Sequence, residues 1–216
     1  MRNVPLPSLL ELGHSVLSEA LARLHAEHEF CVAIDATCGN GHDTLFITKT
    51  LRELKTQRQS ACEWSILAFD VQQTALDTTT KILIQNGLDS GVALLHCGHE
   101  ALEAILASNY AEQPLGVVVY NLGYLPGSDK TVITAAETTL ASLQAAARRL
   151  IPGGVLLIHA YGGHAGGSKE MEQVEAWCAA LPSTQWAVAR YAFCNKAHNS
   201  ETLFLAAKKD VPAAPK

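Results

Sequence analysis

This 216-residue sequence lacks several features that mark whole classes of protein. It has six cysteines but no Cys-x-x-Cys pair, which argues against a zinc ribbon or a thioredoxin-type redox site. Its formal net charge of −5 argues against a general nucleic-acid coat protein, although a local patch for one particular RNA is compatible with it. Its first residues lack the apolar core of a signal peptide, and no membrane span is visible. We therefore expect a cytoplasmic protein with reduced thiols and no membrane partner.

What is present indicates one domain with a large core. The chain is 48% hydrophobic and 17% charged, a balance typical of an ordered globular domain. We expect a single domain over residues 1–209 and a disordered tail over residues 210–216. The segment Pro5–Arg23 comes first: Pro5 and Pro7 keep its start extended, and Ser8 is the candidate cap of the helix that follows. His14 in this helix is either a half-buried polar residue or, if the helix covers a ligand, a substrate contact.

The most informative stretch begins with the apolar run Phe30–Ile34, which predicts a buried strand. The strand ends in Asp35, and a turn with Gly39 and Gly41 leads into a helix that begins at His42. Such a turn lies at the carboxyl edge of a doubly wound sheet, where these folds bind ligands. The third glycine of the dinucleotide fingerprint is missing, so a cationic ligand without a pyrophosphate, such as S-adenosylmethionine, is favoured. The alternative is an ordinary glycine-rich turn.

A second predicted strand, Trp64–Phe69, ends in Asp70. An acid at this position of a nucleotide-binding sheet commonly hydrogen-bonds the ribose hydroxyls. Asp70 follows Gly41 by 29 positions, which is longer than usual, and a predicted loop over Lys55–Glu63 accounts for the excess. Asp70 is also a candidate cap for the helix that begins at Gln72, and the two roles are compatible.

The third and fourth predicted strands bring further polar residues to the same edge. Val92–His96 leads to Gly98 and His99, which either flank an adenine or belong to a solvent-facing loop. Leu115–Tyr120 leads to Asn121, Gly123 and Tyr124. An asparagine amide offers both a donor and an acceptor, so it can hold an amine, and a tyrosine can stack on a flat ring. The alternative is a Gly-Pro loop with one buried tyrosine.

The rest of the chain continues the alternation of strands and helices. Helices are predicted over 100–108, 134–150 and 169–181, and a fifth strand over Val155–His159. The strands Trp186–Phe193 and Thr202–Ala207 have no helix between them and are predicted to pair as a hairpin. This order resembles the class I S-adenosylmethionine-dependent methyltransferase fold. The resemblance implies an α/β, Rossmann-like domain with a seven-stranded, mostly parallel sheet, a C-terminal antiparallel hairpin and helices on both faces.

Three motifs narrow the resemblance. They are Asp35-Ala-Thr-Cys-Gly-Asn-Gly-His-Asp-Thr-Leu45, Asn121-Leu-Gly-Tyr-Leu-Pro-Gly-x-Asp-Lys130, and Tyr161-x-Gly-His164 with Glu170. They resemble a small family labelled "putative rRNA methylase", which includes the tRNA methyltransferase that converts wobble aminomethyl-uridine to methylaminomethyl-uridine. One departure lies in the final hairpin, where Asn195-Lys196 stands in place of an Asn-Gln pair followed by a proline-rich turn. If that hairpin reads RNA, the departure bears on substrate choice.

The family resemblance implies a role for each motif. The residues expected around the methionine part of the cofactor are Thr37, Gly39, Asn40, Gly41 and Asp43. Asp35 is also expected to bind the cofactor. Asp70 and Gln72 are expected to hold the ribose, with Gly98 and His99 near the adenine. Asn121, Gly123 and Tyr124 are expected to line the transfer site.

The resulting functional hypothesis is N-methylation of a modified uridine in a tRNA anticodon stem-loop, with S-adenosylmethionine as cofactor and no metal. The proton acceptor is left open among Asp129, His164 and solvent, and the oligomeric state is left open, with a homodimer included. Lys196 is a candidate substrate contact; further candidate phosphate contacts are Arg148, Arg149, Lys169 and Arg190. The alternatives are methylation of rRNA or of a small molecule, a non-catalytic cofactor-binding module, and a nicotinamide oxidoreductase.

Overall fold

A computed structural model describes residues 6–58, 62–125, 127, 132–163, 166–196 and 201–210. Its helices are α1 (Leu9–Glu27), α2 (His42–Arg58), α3 (Gln73–Gln85), α4 (Leu102–Asn109), α5 (Ala136–Arg149) and α6 (Gly167–Ala180), and a short 3-10 helix spans His99–Ala101. Its strands are β1 (Phe30–Asp35), β2 (Glu63–Asp70), β3 (Val92–His96), β4 (Leu115–Leu122), β5 (Leu150–Tyr161), β6 (Trp186–Tyr191) and β7 (Glu201–Lys208).

The seven strands form one sheet in the order β3-β2-β1-β4-β5-β7-β6. Strands β1 to β5 pair in parallel, and β7 is antiparallel to both of its neighbours. The strand order reverses between β1 and β4, and ligands of open α/β sheets bind at such a point. The expected seven-stranded, mostly parallel sheet with a C-terminal antiparallel hairpin is confirmed.

Both faces of the sheet are buried, which explains why its central strands read as continuous apolar runs. On one face Ile34, Val118 and Ile158 pack in a cluster to which α5 and α6 contribute. On the other face Val119 and Leu157 pack in a cluster to which α1 and α2 contribute. Successive residues of each strand therefore serve opposite cores, and the polar residues at the strand ends continue the same alternation.

Helix α1 covers the second face. It begins at the predicted cap: the Ser8 hydroxyl accepts a hydrogen bond from the Glu11 amide, and the Glu11 side chain accepts one from the Ser8 amide. The helix continues to Glu27, beyond the predicted end at Arg23, because Leu24 is fully buried. The Arg23 guanidinium also donates to the carbonyl of Gly153 and ties α1 to β5.

Two boundaries differ from the sequence-based prediction. The predicted loop over Lys55–Glu63 is wrong at both ends, since α2 continues to Arg58 and β2 begins at Glu63. Leu54, which is 8% exposed, packs in the core and extends the buried face of α2 by a further turn. Strand β5 begins at Leu150 rather than Val155, because Leu150 already pairs with Leu115 before a register shift.

Strands β4 and β5 approach each other closely at two glycines. A Cβ atom built on Gly154 would lie 2.6 Å from the carbonyl oxygen of Gly116 and 2.9 Å from that of Ile151. Both neighbours are backbone atoms that cannot rotate away, so this position requires a glycine.

Among the described residues, no helix is long and apolar enough to cross a membrane.

Candidate active site

A cleft of about 770 Å³ opens at the carboxyl edge of the sheet, at the switch point between β1 and β4. Most of the residues singled out from the sequence line it. They are Thr37, Gly39, Asn40, Asp43, Asp70, Gln72, Gly98, His99, Asn121, Gly123 and Tyr124. The cleft therefore gathers residues from the ends of four strands, as expected for a ligand site in a doubly wound sheet.

Other sequence-predicted residues lie elsewhere. Asp35, Gly41, His14 and Lys196 are not among the residues that line the cleft. Asp129 and His164 lie outside the described residues. No three His, Cys, Asp or Glu side chains in the described part of the chain are grouped so that they could hold a metal ion.

The turn after β1 depends on its two glycines. Gly39 and Gly41 adopt φ angles of +49° and +79°, a region that side chains disfavour. A Cβ atom on Gly41 would lie 2.9 Å from the Thr79 hydroxyl. Gly41 therefore lets the turn pack on α3, and Gly39 presents bare backbone to the cleft.

Asp35 supports this turn and does not face the cleft. Its carboxylate is fully buried and accepts hydrogen bonds from the Thr37 amide at 3.2 Å and the Thr44 hydroxyl at 2.6 Å. Burial, with the nearby charge of Asp43, raises the pKa of Asp35 above its ordinary value. The assignment of Asp35 as a direct cofactor contact is corrected here: it fixes the position of the turn from behind.

Asp70 joins the ends of two neighbouring loops. One oxygen accepts a hydrogen bond from the Gly39 amide at 2.9 Å, and the other accepts one from the Gln72 amide at 2.9 Å. Asp70 was predicted to cap the helix α3. It does so in part, because it accepts a hydrogen bond from the backbone amide of Gln72, the residue before α3. A carboxylate has about four acceptor positions, so Asp70 keeps lone pairs for a ligand in the cleft.

Asp43 is the centre of a buried hydrogen-bond network. Its oxygens contact His14 Nε2 at 2.5 Å and Asn121 Nδ2 at 2.5 Å. The backbone amide of Asn121 donates to the Thr37 hydroxyl at 2.7 Å. The His14 ring stacks on the Phe46 ring, with ring centroids 3.8 Å apart. His14, which lies on α1, is therefore a hydrogen-bond partner of Asp43, and it is connected to the cleft through that carboxylate.

The network decides the ionisation of Asp43 and the orientation of Asn121. Burial alone would raise the pKa of Asp43, but the hydrogen bonds from His14 and Asn121 and the nearby histidines outweigh it and lower the pKa. Because the Asn121 side-chain nitrogen donates to this carboxylate, the side-chain oxygen, which has no hydrogen-bond partner among the described residues, is the atom that can accept a hydrogen bond in the cleft.

His99 is a buried residue of the cleft wall. Its side chain is buried, which rules out the alternative of a solvent-facing loop residue. Burial lowers the pKa of His99 and favours the neutral ring. His99 Nε2 lies 3.4 Å from the Thr139 hydroxyl, which donates to the buried Glu170 at 2.6 Å. Glu170 thus links α6 to α5 behind the site.

Tyr124 lies at the cleft mouth. It is 37% exposed, so the alternative of a buried tyrosine in a Gly-Pro loop is wrong. A short bridge pairs it with Ile133, which is also exposed and lines the cleft. An exposed aromatic ring beside a cleft is a group that can stack on a base.

Sequence reasoning assigned no role to three polar residues of β5 and β7, although Tyr161 was part of a family motif. The Tyr161 hydroxyl lies 3.1 Å from His159 Nδ1, and His159 Nε2 lies 3.6 Å from a carboxylate oxygen of Glu201. Tyr161 and Glu201 line the cleft. The one available signal was a histidine inside an otherwise apolar strand.

The candidate phosphate contacts divide between the two edges of the sheet. Arg148 pairs with Glu103, and Arg149 donates to backbone carbonyls, both where α5 runs into the start of β5. That edge is opposite the cleft, so these two arginines do not line the candidate active site, and their role as phosphate contacts stays a prediction. Lys196 lies near the cleft but pairs with Glu201 at 2.8 Å.

Comparison with known proteins supplies the family. The family model described as "Putative rRNA methylase" matches residues 66–207, which is more than half of the chain. The chain belongs to this putative rRNA methylase family. The matched range begins after the glycine turn, so that turn and helix α1 lie outside it.

The proteins similar to this chain include a curated relative and solved structures. A curated relative, tRNA (mnm(5)s(2)U34)-methyltransferase, chloroplastic, from Arabidopsis thaliana is 37% identical over 166 residues, which is 76% of this chain. The chain spans 58% of the length of that relative.

Two solved structures resemble this protein over almost its whole length. A putative rRNA-methylase from Clostridium thermocellum is 28% identical with a TM-score of 0.78, covering 95% of this chain and 100% of that one. A putative methyltransferase from Streptococcus mutans, in complex with SAH, is 31% identical with a TM-score of 0.75, covering 94% and 99%. The resemblance to the class I methyltransferase fold is thereby confirmed.

Proposed function

We propose that this protein is an S-adenosylmethionine-dependent N-methyltransferase that converts wobble 5-aminomethyl-(2-thio)uridine of tRNA to 5-methylaminomethyl-(2-thio)uridine. The observation that carries the proposal is the Asn121 side chain, held by Asp43 so that its oxygen is free to accept from an amine beside the glycine turn. The named activity of the Arabidopsis relative and the SAH complex of the Streptococcus relative support it.

The cleft fits the cofactor in its shape and its donor set. Gly39 brings bare backbone to the cleft wall, and Asp70 keeps acceptor positions for ribose hydroxyls. Thr37, Asn40 and Asp43 surround the methionine part, with Gln72 beside the ribose and His99 beside the adenine. The bound cofactor supplies a methyl group on a sulfonium, which is already activated for transfer.

The protein's main task is then to orient the amine. The Asn121 oxygen accepts a hydrogen bond from the amine and directs its lone pair towards the methyl group. Gly123, which has no side chain, leaves room at the wall of the transfer site, and Tyr124 stacks on the uracil ring. Alignment of reacting groups can contribute several powers of ten to a rate, so a rigid Asn121 matters more than added charge.

We propose a tRNA anticodon stem-loop as the partner, because a loop base can be splayed out without opening a duplex. Two of the basic residues that the structure describes near the cleft edge, Lys196 and Arg190, each pair with a glutamate. Binding should therefore depend only modestly on salt. We also propose a single cytoplasmic domain over residues 1–209; Asp129 and His164 remain candidate proton acceptors, and a homodimer remains a proposal.

The function is tested with separated RNA pools. The protein is incubated with methyl-labelled cofactor and either total tRNA or rRNA, and labelled nucleosides are identified by mass spectrometry. We expect label in 5-methylaminomethyl-uridine from tRNA alone. The family description favours rRNA as the second candidate, and label in an rRNA nucleoside would establish it. Bound cofactor with no label in either pool would indicate a non-catalytic module.

The Asp70→Ala variant is expected to weaken binding of S-adenosylhomocysteine by about tenfold or more, because a hydrogen bond to a charged acceptor contributes about 1.5–3 kcal/mol. Calorimetry on the wild type and the variant measures the change. An analogue without ribose hydroxyls should bind both proteins equally. A variant that loses affinity for both ligands in the same proportion would contradict a ribose contact and indicate damage to the turn.

A further inference from the structure

Four polar side chains share one face of the sheet at the cleft. Asn121 of β4 pairs in register with His159 of β5, and Tyr161 of β5 pairs with Glu201 of β7. Residues in register, and residues two apart on a strand, project from the same face. This is the face that α1 covers, so these groups stand beside the Asn121 amide in the proposed transfer site.

Tyr161, His159 and Glu201 form a chain of contacts. The Tyr161 hydroxyl lies 3.1 Å from His159 Nδ1, and His159 Nε2 lies 3.6 Å from a Glu201 oxygen. His159 is 2% exposed, and its Nε2 has no hydrogen-bond partner among the described residues. A buried ring nitrogen without a hydrogen bond is unusual, because such groups are normally satisfied. A shift of 0.6 Å or so would complete the hydrogen bond to Glu201.

The protonation states follow from burial. Burial lowers the pKa of His159, so its ring is neutral before substrate binds. Burial also raises the pKa of Tyr161 to about 12, so its hydroxyl keeps its proton and donates to Nδ1. Because the Glu201 carboxylate can only accept, its position 3.6 Å from Nε2 favours the tautomer with the ring proton on Nε2, in which Tyr161 donates to Nδ1.

We propose that Tyr161 removes the proton from the substrate's ammonium group, and that His159, held by Glu201, receives the proton that Tyr161 gives up. This inference rests on the proposed function. An aminomethyl group resembles a lysine amine, with a pKa of about 10.4, and arrives mostly protonated. An ammonium nitrogen has no lone pair and cannot attack a methyl carbon.

The step balances without a further reagent. The ammonium proton passes to Tyr161 Oη while the Tyr161 proton passes to His159 Nδ1, which leaves a neutral amine and an imidazolium. The amine nitrogen then forms a bond to the methyl carbon as the carbon–sulfur bond breaks, and sulfur keeps the electron pair. His159 returns its proton through Tyr161 to solvent.

The charges around His159 favour its transient positive charge. Glu201 on β7 and Asp43 on α2 both act on His159 and stabilise its protonated form. Lys196 pairs with the second oxygen of Glu201, and His14 on α1 pairs with Asp43. The positive sulfonium beside the amine would lower the amine's own pKa and assist the transfer.

The test compares Tyr161→Phe with Tyr191→Phe on aminomethyl-uridine tRNA across pH 6.5–10. Both tyrosines are 41% exposed, but Tyr191 lies outside the cleft. We expect Tyr161→Phe to lower kcat about 100-fold at pH 7, the usual scale of general base catalysis, and to recover most of it at pH 10. Tyr191→Phe should match the wild type. S-adenosylhomocysteine affinity and melting temperature should be unchanged in both.

Two further measurements separate the possible failures. The double variant Tyr161→Phe with Glu201→Gln should be no slower than the slower single variant, because the residues act as one unit. Nitrogen NMR of the wild-type protein should find the His159 proton on Nε2. An inactive wild type would refute the proposed function. An active wild type whose Tyr161→Phe profile runs parallel to its own at every pH, or a proton on Nδ1, would refute the relay alone.

Discussion

The Asp43→Asn variant is expected to lower kcat for methyl transfer by about 100-fold, a typical loss when a group that positions the reacting atoms is removed. Asparagine has the same shape but only one acceptor oxygen. Its amide nitrogen would face either His14 or the Asn121 donor, where the carboxylate now accepts from both. Asn121 would then rotate, and its free oxygen would no longer be directed at the amine.

Steady-state kinetics with saturating cofactor measures the effect, and Asp77→Asn on the exposed surface of α3 is the matched control. The lowered pKa of Asp43 gives a second readout. A lowered pKa stabilises the folded state at neutral pH and loses this contribution as pH falls through the folded-state value. The stability difference between wild type and variant should therefore shrink in acid. Full activity in Asp43→Asn would refute the positioning role.

The Gly154→Ala variant is expected to lower the free energy of unfolding by about 3 kcal/mol, at the upper end for overpacking. Its Cβ atom would lie 2.6 Å from the Gly116 carbonyl oxygen and 2.7 Å from Leu150 Cγ. Relief requires β4 and β5 to move apart. For a chain of this size the melting temperature should fall by about 10 °C.

Chemical and thermal denaturation measure this loss. Gly163→Ala is the control, because a Cβ atom at Gly163 would meet nothing within 4 Å. It should change the free energy of unfolding by less than about 0.5 kcal/mol. A Gly154→Ala variant as stable as this control would mean that β4 and β5 can move apart without loss of stability, which would contradict the prediction.

The sequence predicted the parts of the site that follow directly from strand ends. Asp70 and Asn121 come where long apolar runs stop, and parallel strands bring their carboxyl ends to one edge. Both residues line the cleft. The hairpin was predictable for a related reason: without a helix between them, two strands can pair only in the antiparallel direction.

Other features depended on information that a sequence pattern does not carry. Asp35 and Asp70 both end strands, yet only Asp70 lines the cleft, because the α2 residue Thr44 closes over Asp35. Glu201 joins the site through its register with Tyr161, which lies 40 positions earlier in the chain. The last turn of α2 was missed because charged residues around Leu54 resemble a loop in composition.

Helix α1 has a consequence for how the protein matures on the ribosome. It is made before β5 and β7, but its buried face, with Leu17 and Leu21, packs in one cluster with residues of those strands such as Leu157 and Leu203. Its His14 completes the Asp43 network only after docking. The nascent helix therefore stays exposed until β5 and β7 have been made, and a chain that still lacks these strands should neither hold the cofactor firmly nor act on RNA.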